Sequence, residues 1–237
     1  MPVELALICV AIAVVGAAVQ GAIGLGFGLL SAPFLAIIDT DFIPGAVLVA
    51  VLPLSTSVAV RAKNDVDRRS AALAIAGRIP GVVAGAVVAA AVSSRLLSIG
   101  LGTVVLIAVA MSIWLPSVPT TTGLTVGAGA VSGFMGTTTG VGGPPMALLY
   151  QRGSPTVVRA TLSAYFSIGT VLSIVALTLV GDLTARQWRL GALLLPGVVI
   201  GLAVSPWLRR HADGPRFRPI LLAFCAASAV LLLAEQL

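Results

Sequence analysis

Two clusters of glycine residues mark the places in this sequence where the backbone could bind a ligand. The clusters are Gly24, Gly26 and Gly28, and then Gly140, Gly142 and Gly143 with Pro144 directly after them. Glycine tolerates a positive φ and lets a ligand approach the backbone, and proline fits the first turn of a helix. A helix that restarts at such a cluster presents free N–H groups and about half a positive charge. Both clusters therefore predict a binding site for an anion.

Neutral polar side chains precede both clusters and could add hydrogen bonds to such a ligand. They are Gln20 before the first cluster, and Thr137, Thr138 and Thr139 before the second. The alternative is that the glycines serve only helix packing, as small residues often do in membrane helices. We favour a binding site because the clusters recur beside prolines at matched places in the two halves of the chain.

The composition identifies the elements that must position these residues as membrane helices. The chain of 237 residues is 58% hydrophobic and 9% charged, which excludes an ordinary soluble domain. The basic residues behind its formal net charge of +6 fall in short loops between apolar stretches. We therefore expect them to contact lipid headgroups rather than nucleic acid. The first residues lack the basic start of a signal peptide, so the first apolar stretch is expected to be retained.

Eight apolar spans are predicted, and two of them are too long for one crossing. They lie at 3–38, 42–60, 71–92, 96–115, 121–150, 157–180, 188–208 and 219–235. About 20 residues cross the hydrocarbon core, whereas the spans 3–38 and 121–150 are much longer. Each is interrupted by glycines near the middle, from Gly21 to Gly28 and from Gly133 to Gly143. We therefore predict that each long span is a hairpin of two helical segments that enters and leaves by one face.

The same short strings recur in the two halves of the chain at one spacing. Residues 24–26 and 140–142 both read Gly-X-Gly, and Pro80–Gly85 reappears as Pro196–Gly201. Both pairs are 116 residues apart, which indicates a duplication with repeats at 1–116 and 117–237. A later match needs an insertion near residues 209–217. Glycine-broken segments at matching places in two repeats are typical of secondary transporters.

The loop charges test the direction of the two repeats. With hairpins, the loops at 61–70, 151–159 and 209–218 share one face and hold ten arginines and lysines, against three on the other face. If the long spans crossed once, the two faces would hold nearly equal numbers. Because cytoplasmic loops are rich in basic residues, we predict inverted repeats in the cell membrane with both termini on the non-cytoplasmic side.

The positions of the charged residues favour an anion over a cation as ligand. Every aspartate and glutamate falls in a loop or near a chain end, whereas cation pumps keep carboxylates inside the membrane. Arg159 and Arg78 could neutralise an anion. For both we favour the alternative that the side chain extends to the membrane interface, but Arg159 is kept among the predicted site residues.

No other chemistry is indicated. The glycine clusters lack the Gly-Lys-Ser or Gly-Lys-Thr of a phosphate-binding loop, and no metal-ligand spacing or catalytic grouping is present. Cys9, Cys225 and the lone His211 fit buried thiols and a loop histidine. We therefore expect neither an enzyme nor a metal or other cofactor.

The glycine motifs resemble those of a known family. Residues 21–28 followed by Pro33, and residues 132–136 leading into 140–145, are similar to the paired motifs of the sulfite exporter TauE/SafE family. The resemblance covers nearly the whole chain. It implies a permease with eight main transmembrane segments for sulfite, sulfonates or other small organic anions, whose site is lined by residues 24–28, 140–143 and Pro144.

The sequence thus predicts an all-α polytopic membrane protein of two inverted four-helix repeats, each opening with a glycine-broken hairpin. Its expected function is secondary transport of a small anion by alternating access, with the lipid bilayer as its surroundings and a homo-oligomer as an open possibility. The alternatives are an anion channel and a non-transporting scaffold or assembly factor.

Overall fold

The structure, a computed structural model, describes residues 1–114, 119–151, 153–211 and 217–236. Within these ranges it has ten α-helices, two short 3-10 helices and no strand. The α-helices are α1 (Val3–Ile23), α2 (Phe27–Ile38), α3 (Gly45–Arg61), α4 (Arg68–Ala91), α5 (Ser94–Trp114), α6 (Thr122–Thr139), α7 (Gly143–Leu149), α8 (Pro155–Leu179), α9 (Ala185–His211) and α10 (Phe217–Gln236). The insertion predicted near 209–217 lies mostly outside the described residues.

The helices have the length and composition of membrane spans. Six of them are long and apolar enough to cross a bilayer, namely α1, α4, α5, α8, α9 and the part of α10 from Pro219. The shorter helices α2 and α3 are also apolar. The predicted all-α polytopic membrane protein is confirmed.

Both long apolar spans are broken at their glycine clusters. α1 ends at Gly24, which has a φ of 90° and whose N–H donates to the carbonyl of Gln20. α6 ends in the same way at Gly140, with a φ of 77° and an N–H bond to the carbonyl of Gly136. Glycine is the residue that adopts this left-handed conformation without strain, so each cluster stops its helix where the sequence predicts.

The repeated Pro-Gly strings lie at close helix–helix contacts. In α4, Gly77 and Gly81 lie against the backbone carbonyls of Val126 and Ala130 in α6, so closely that a Cβ atom at either glycine would clash. The order of these contacts shows that α4 and α6 run in the same direction. These glycines therefore serve packing, which is the role that small residues have in lipid.

The second string makes the equivalent contact in the other half. Gly197 and Gly201 of α9 lie against the carbonyls of Val10 and Val14 in α1, again with the two helices parallel. The first α-helix of each half thus packs on the fourth α-helix of the other half, and α3 packs on α8. The two halves interlock as one membrane body.

One end of the helix bundle joins loops that are far apart in sequence. Arg186 at the start of α9 forms ion pairs with Asp39 and Asp41, which follow α2, at 2.5 and 2.8 Å. Arg95 Nε at the start of α5 donates to the carbonyl of Gln236 at 3.0 Å. Both α5 and α9 also contact the 3-10 helix Thr40–Phe42 that follows α2, so the two pairs of contacts share this end.

The opposite end holds the starts of α4 and α8 and the end of α7. The hydroxyl groups of Ser70 in α4 and Tyr150 after α7 are 2.5 Å apart. The backbone N–H of Asp67 donates to the hydroxyl of Thr161 in α8 at 3.0 Å. Because α6 runs parallel to α4, it also starts at this end.

Candidate functional site

The two glycine breaks meet in the interior of the protein. Gly28, in the first turn of α2, faces the carbonyl oxygen of Gly140, and a Cβ atom at Gly28 would lie less than 3.0 Å from that oxygen. A small cavity of about 30 Å³ lies at this crossing, with both breaks in its wall. We call it the central cavity. Its lining includes Gly26, Gly28, Gly140, Gly142, Gly143 and Arg78, together with side chains of α3 and α8.

Gln20 lies at the central cavity and holds the first break in place. Its side-chain oxygen accepts from the backbone N–H of Phe27 at 3.0 Å, and its side-chain nitrogen donates to Ser55 at 2.9 Å. Phe27 is the first residue of α2, so Gln20 takes one of the N–H groups that have no partner within the helix. Gln20, which the sequence predicts to bind the ligand, therefore also connects α1, α2 and α3.

The three threonines before the second break make hydrogen bonds within the protein. The hydroxyl of Thr137 lies 2.8 Å from that of Ser173 in α8. Those of Thr138 and Thr139 donate to carbonyls of their own helix, and Thr139 also accepts from the N–H of Val141 at 3.3 Å. Among the described residues that line the central cavity, none of the three threonines appears.

Arg78 occupies the interior of the protein rather than the membrane interface. Only 1% of its surface is exposed, and it lines the central cavity. The expectation that its side chain extends to the interface is wrong. The reason is that α4 begins at Arg68, capped by the side chain of Asp67, rather than near residue 71. At 1.5 Å per residue, Arg78 therefore lies about 15 Å into the helix.

Arg159 lies in a second, larger cavity. This cavity of about 520 Å³ is mostly apolar and is lined by Gly26, Pro144, Arg159 and Arg209, together with side chains of α5 and α10. Arg159 is half-buried, and its backbone packs on Gly24, where a Cβ atom would be 2.7 Å from the Arg159 Cα. We call this space the vestibule.

Three residues of the first break line both cavities and so lie between them. They are Leu25, Gly26 and Leu29. The vestibule also contacts exposed residues between α7 and α8, at the end of the bundle where Ser70 meets Tyr150. The side chains of Leu25 and Leu29 therefore lie between the vestibule, which reaches that end, and the central cavity.

A family model described as sulfite exporter TauE/SafE matches residues 8–232 of this chain. The chain belongs to this family. No curated protein and no solved structure matches it. The family resemblance based on the two glycine motifs is confirmed, and the match spans both breaks and all ten helices.

In this TauE/SafE family protein, the structure brings together most of the residues that the sequence singled out. Gln20, Gly26, Gly28, Gly140, Gly142 and Gly143 line the central cavity, whereas Pro144 and Arg159 line the vestibule. Gly24 lies beside the vestibule through its contact with Arg159. Arg78 is the charged residue of the central cavity that was not predicted to belong to the site. The available signal was an arginine two residues before the repeated Pro80 string, within an apolar stretch.

Proposed function

We propose that this TauE/SafE family protein is a secondary transporter that carries a small anion across the cytoplasmic membrane by alternating access. The observation that carries the proposal is the meeting of the two glycine breaks, one from each half, around a cavity in the interior. Irregular backbone at membrane depth is tolerated only where protein or a cavity surrounds it. Transporters place broken helices from two repeats at their substrate site, near the middle of the membrane.

The helix directions support inverted repeats. α1 runs parallel to α9, and the start of α9 meets the end of α2 through Arg186 and Asp39. The pair α1–α2 therefore starts and ends at one end of the bundle. By the same argument, α6 runs parallel to α4 and α7 ends beside Ser70, so the pair α6–α7 starts and ends at the opposite end. Equivalent hairpins in the two halves thus enter from opposite faces.

The charge distribution supports an orientation of the protein in the membrane. The end that includes Ser70 and Tyr150 carries the basic loops, which belong on the cytoplasmic side. The chain termini then lie on the non-cytoplasmic side. The vestibule reaches the basic end, so the conformation described here gives access from the cytoplasm, with Leu25 and Leu29 between the vestibule and the central cavity. Rocking of one half against the other would then close this access and open the central cavity to the non-cytoplasmic side.

An anion is the substrate that the charges favour. Every carboxylate of the described residues lies in a loop or near a helix end, so a cation would meet no opposite charge inside the membrane. Arginines line both cavities. With the family description, this supports sulfite or a small sulfonate as substrate.

Transport can be tested by flux into proteoliposomes. We expect purified protein to take up radiolabelled sulfite or a small sulfonate above the rate of protein-free vesicles, and unlabelled substrate inside the vesicles to accelerate uptake. That acceleration distinguishes a carrier from a channel, which lets the anion move without an exchange step. Absence of flux for a broad panel of inorganic and organic anions would contradict the proposal.

The inverted topology is tested by cysteine labelling. The two native cysteines, which are both buried, are first replaced by alanine so that only the introduced cysteine can be labelled. Single cysteines are then introduced at Asn64 or Arg210, near the basic end, and at Ser93 or Arg189, near the other end. In intact cells we expect a membrane-impermeant maleimide to label positions 93 and 189, and to label 64 and 210 only after lysis. Labelling of 64 and 210 on opposite faces would refute the arrangement.

A further inference from the structure

We propose that Arg78 is the residue that binds the charge of the transported anion, and that the group it binds is a compact oxyanion such as sulfite or the headgroup of a sulfonate. This inference rests on the proposed function, because it places the substrate in the central cavity. The argument uses the burial of Arg78, its free N–H groups, the shape of its surroundings and the size of the cavity.

Arg78 is a buried charge that forms no ion pair with any described residue. It is the largest of the fully buried side chains, at 1% exposure. The only ion pairs among the described residues involve Arg186 at one end of the bundle. An ion that leaves water without a partner loses a large hydration free energy, so an arginine in this position needs either a counter-ion or a function. An anionic substrate would supply the missing charge.

Most donors of Arg78 are free. A guanidinium has five N–H bonds, and those on Nε and Nη1, which are three of the five, have no acceptor. Nη2 reaches the hydroxyl of Ser173 at a long 3.4 Å. That hydroxyl already donates to the carbonyl of Gly169 and lies 2.8 Å from Thr137. Buried donors in folded proteins are nearly always satisfied, so these free N–H groups indicate a missing acceptor.

Glycines hold the side chain in position. A Cβ atom at Gly169 of α8 would overlap the guanidinium of Arg78, and one at Gly133 of α6 would lie 2.8 Å from its Cγ. The guanidinium carbon is 4.9 Å from the ring centre of Tyr165. The glycines of α6 and α8 thus leave a space that the side chain of Arg78 fills, with the ring of Tyr165 beside it.

The competing explanation is that Arg78 serves only to pack α4 on α8. In that case the ring of Tyr165 would have to compensate for the burial of the charge. A cation–π contact supplies only a fraction of the free energy that a charge loses on burial, and it uses none of the free N–H groups. Packing alone would also be served as well by an apolar side chain of the same length.

The size of the central cavity points to a compact ligand. A cavity needs about 10–15 Å³ to hold one water molecule, and the central cavity of about 30 Å³ is only a few times that size. The space beside Arg78 therefore fits a group of a few atoms, and a larger apolar part of a sulfonate would extend toward the vestibule. The planar fork of arginine suits the oxygen atoms of an oxyanion.

Three purified variants test the proposal. Arg78→Met removes the charge and keeps the length, and Gly169→Ala keeps the charge and displaces it. Gly127→Ala is the matched control, because a Cβ atom at Gly127 meets nothing within 4 Å. Sulfite and methanesulfonate are titrated in thermal-shift assays in detergent, and flux is measured in proteoliposomes.

The expected results separate binding from packing. Arg78→Met should weaken sulfite binding by about 10- to 100-fold, the range for losing a charged hydrogen bond, and without ligand it should unfold at the same or a higher temperature than the wild type. Gly169→Ala should also bind sulfite more weakly, and Gly127→Ala should match the wild type. A large loss of stability in Arg78→Met with unchanged sulfite affinity would assign Arg78 to packing and overturn the inference.

The inference and the proposed function fail in different ways. Wild-type flux with sulfite affinity that does not depend on Arg78 would overturn the inference alone. Sulfite stabilisation that depends on Arg78, without flux of any anion, would overturn transport and support the binding site. If neither sulfite nor methanesulfonate binds the wild-type protein, the assignment of Arg78 is wrong.

Discussion

Alanine in place of Gly77 is expected to prevent stable packing of α4 on α6. A Cβ atom at this position would lie less than 3.0 Å from the carbonyl oxygen, the carbonyl carbon and the Cα of Val126. All three are backbone atoms, which no rotamer change can move. In a helix interior, alanine is otherwise favoured over glycine by about 1 kcal/mol. Overpacking commonly costs about 1–3 kcal/mol, and we expect the upper part of that range or more here.

The measurement is the midpoint of thermal unfolding in detergent, together with the yield of monodisperse protein. Gly127→Ala is again the control, since it makes the same change of helix propensity in α6 at an exposed site with no neighbouring atom. We expect the control to equal or exceed the wild type in stability. If Gly77→Ala were as stable as the control, the close backbone contact between α4 and α6 would be wrong.

Alanine in place of Gly28 is expected to abolish most transport. The added Cβ atom would overlap the carbonyl oxygen of Gly140, so the two breaks would have to separate. This movement changes the central cavity itself. An alteration that costs about 1–3 kcal/mol at the binding site corresponds to roughly a 10- to 100-fold loss of affinity or flux.

The matched control lies away from both breaks. A Cβ atom at Gly127 in α6 meets nothing within 4 Å, and this residue lines neither cavity. Gly127→Ala should therefore keep flux within about two-fold of the wild type, a change below the smallest strain expected from overpacking. Initial rates of sulfite uptake at equal reconstituted protein are compared. Equal rates for Gly28→Ala and Gly127→Ala would mean that the contact of the two breaks does not form the transport site.

Several features of the fold could be predicted from the sequence because they depend on local chemistry. The breaks at Gly24 and Gly140 follow from the positive φ that glycine allows, and both occur where the clusters lie. The membrane helices follow from composition and span length. A duplication is predicted from the equal spacing of similar strings, and the structure gives the strings at 80–85 and 196–201 a shared role in packing.

The environment of the polar side chains could not be predicted in the same way. Nothing in the sequence indicates that Thr137 bonds to Ser173, or that Gln20 spans from Phe27 to Ser55. Such partners come from helices that are distant in the chain. The hydroxyl groups of the threonines and the amide of Gln20 were predicted to face a ligand. In the structure their hydrogen bonds go to other groups of the protein and hold the breaks in place.

The sequence by itself determined that this protein is a bundle of membrane helices with two glycine breaks, because φ preferences, hydropathy and charge act on each segment alone. Only the tertiary structure decided which charge lies at the breaks. The depth of Arg78 depends on the Asp67 cap that starts α4, and its burial depends on glycines in α6 and α8 that leave space for it. Burial of a side chain is a property of all the helices around it, and one helix does not encode it.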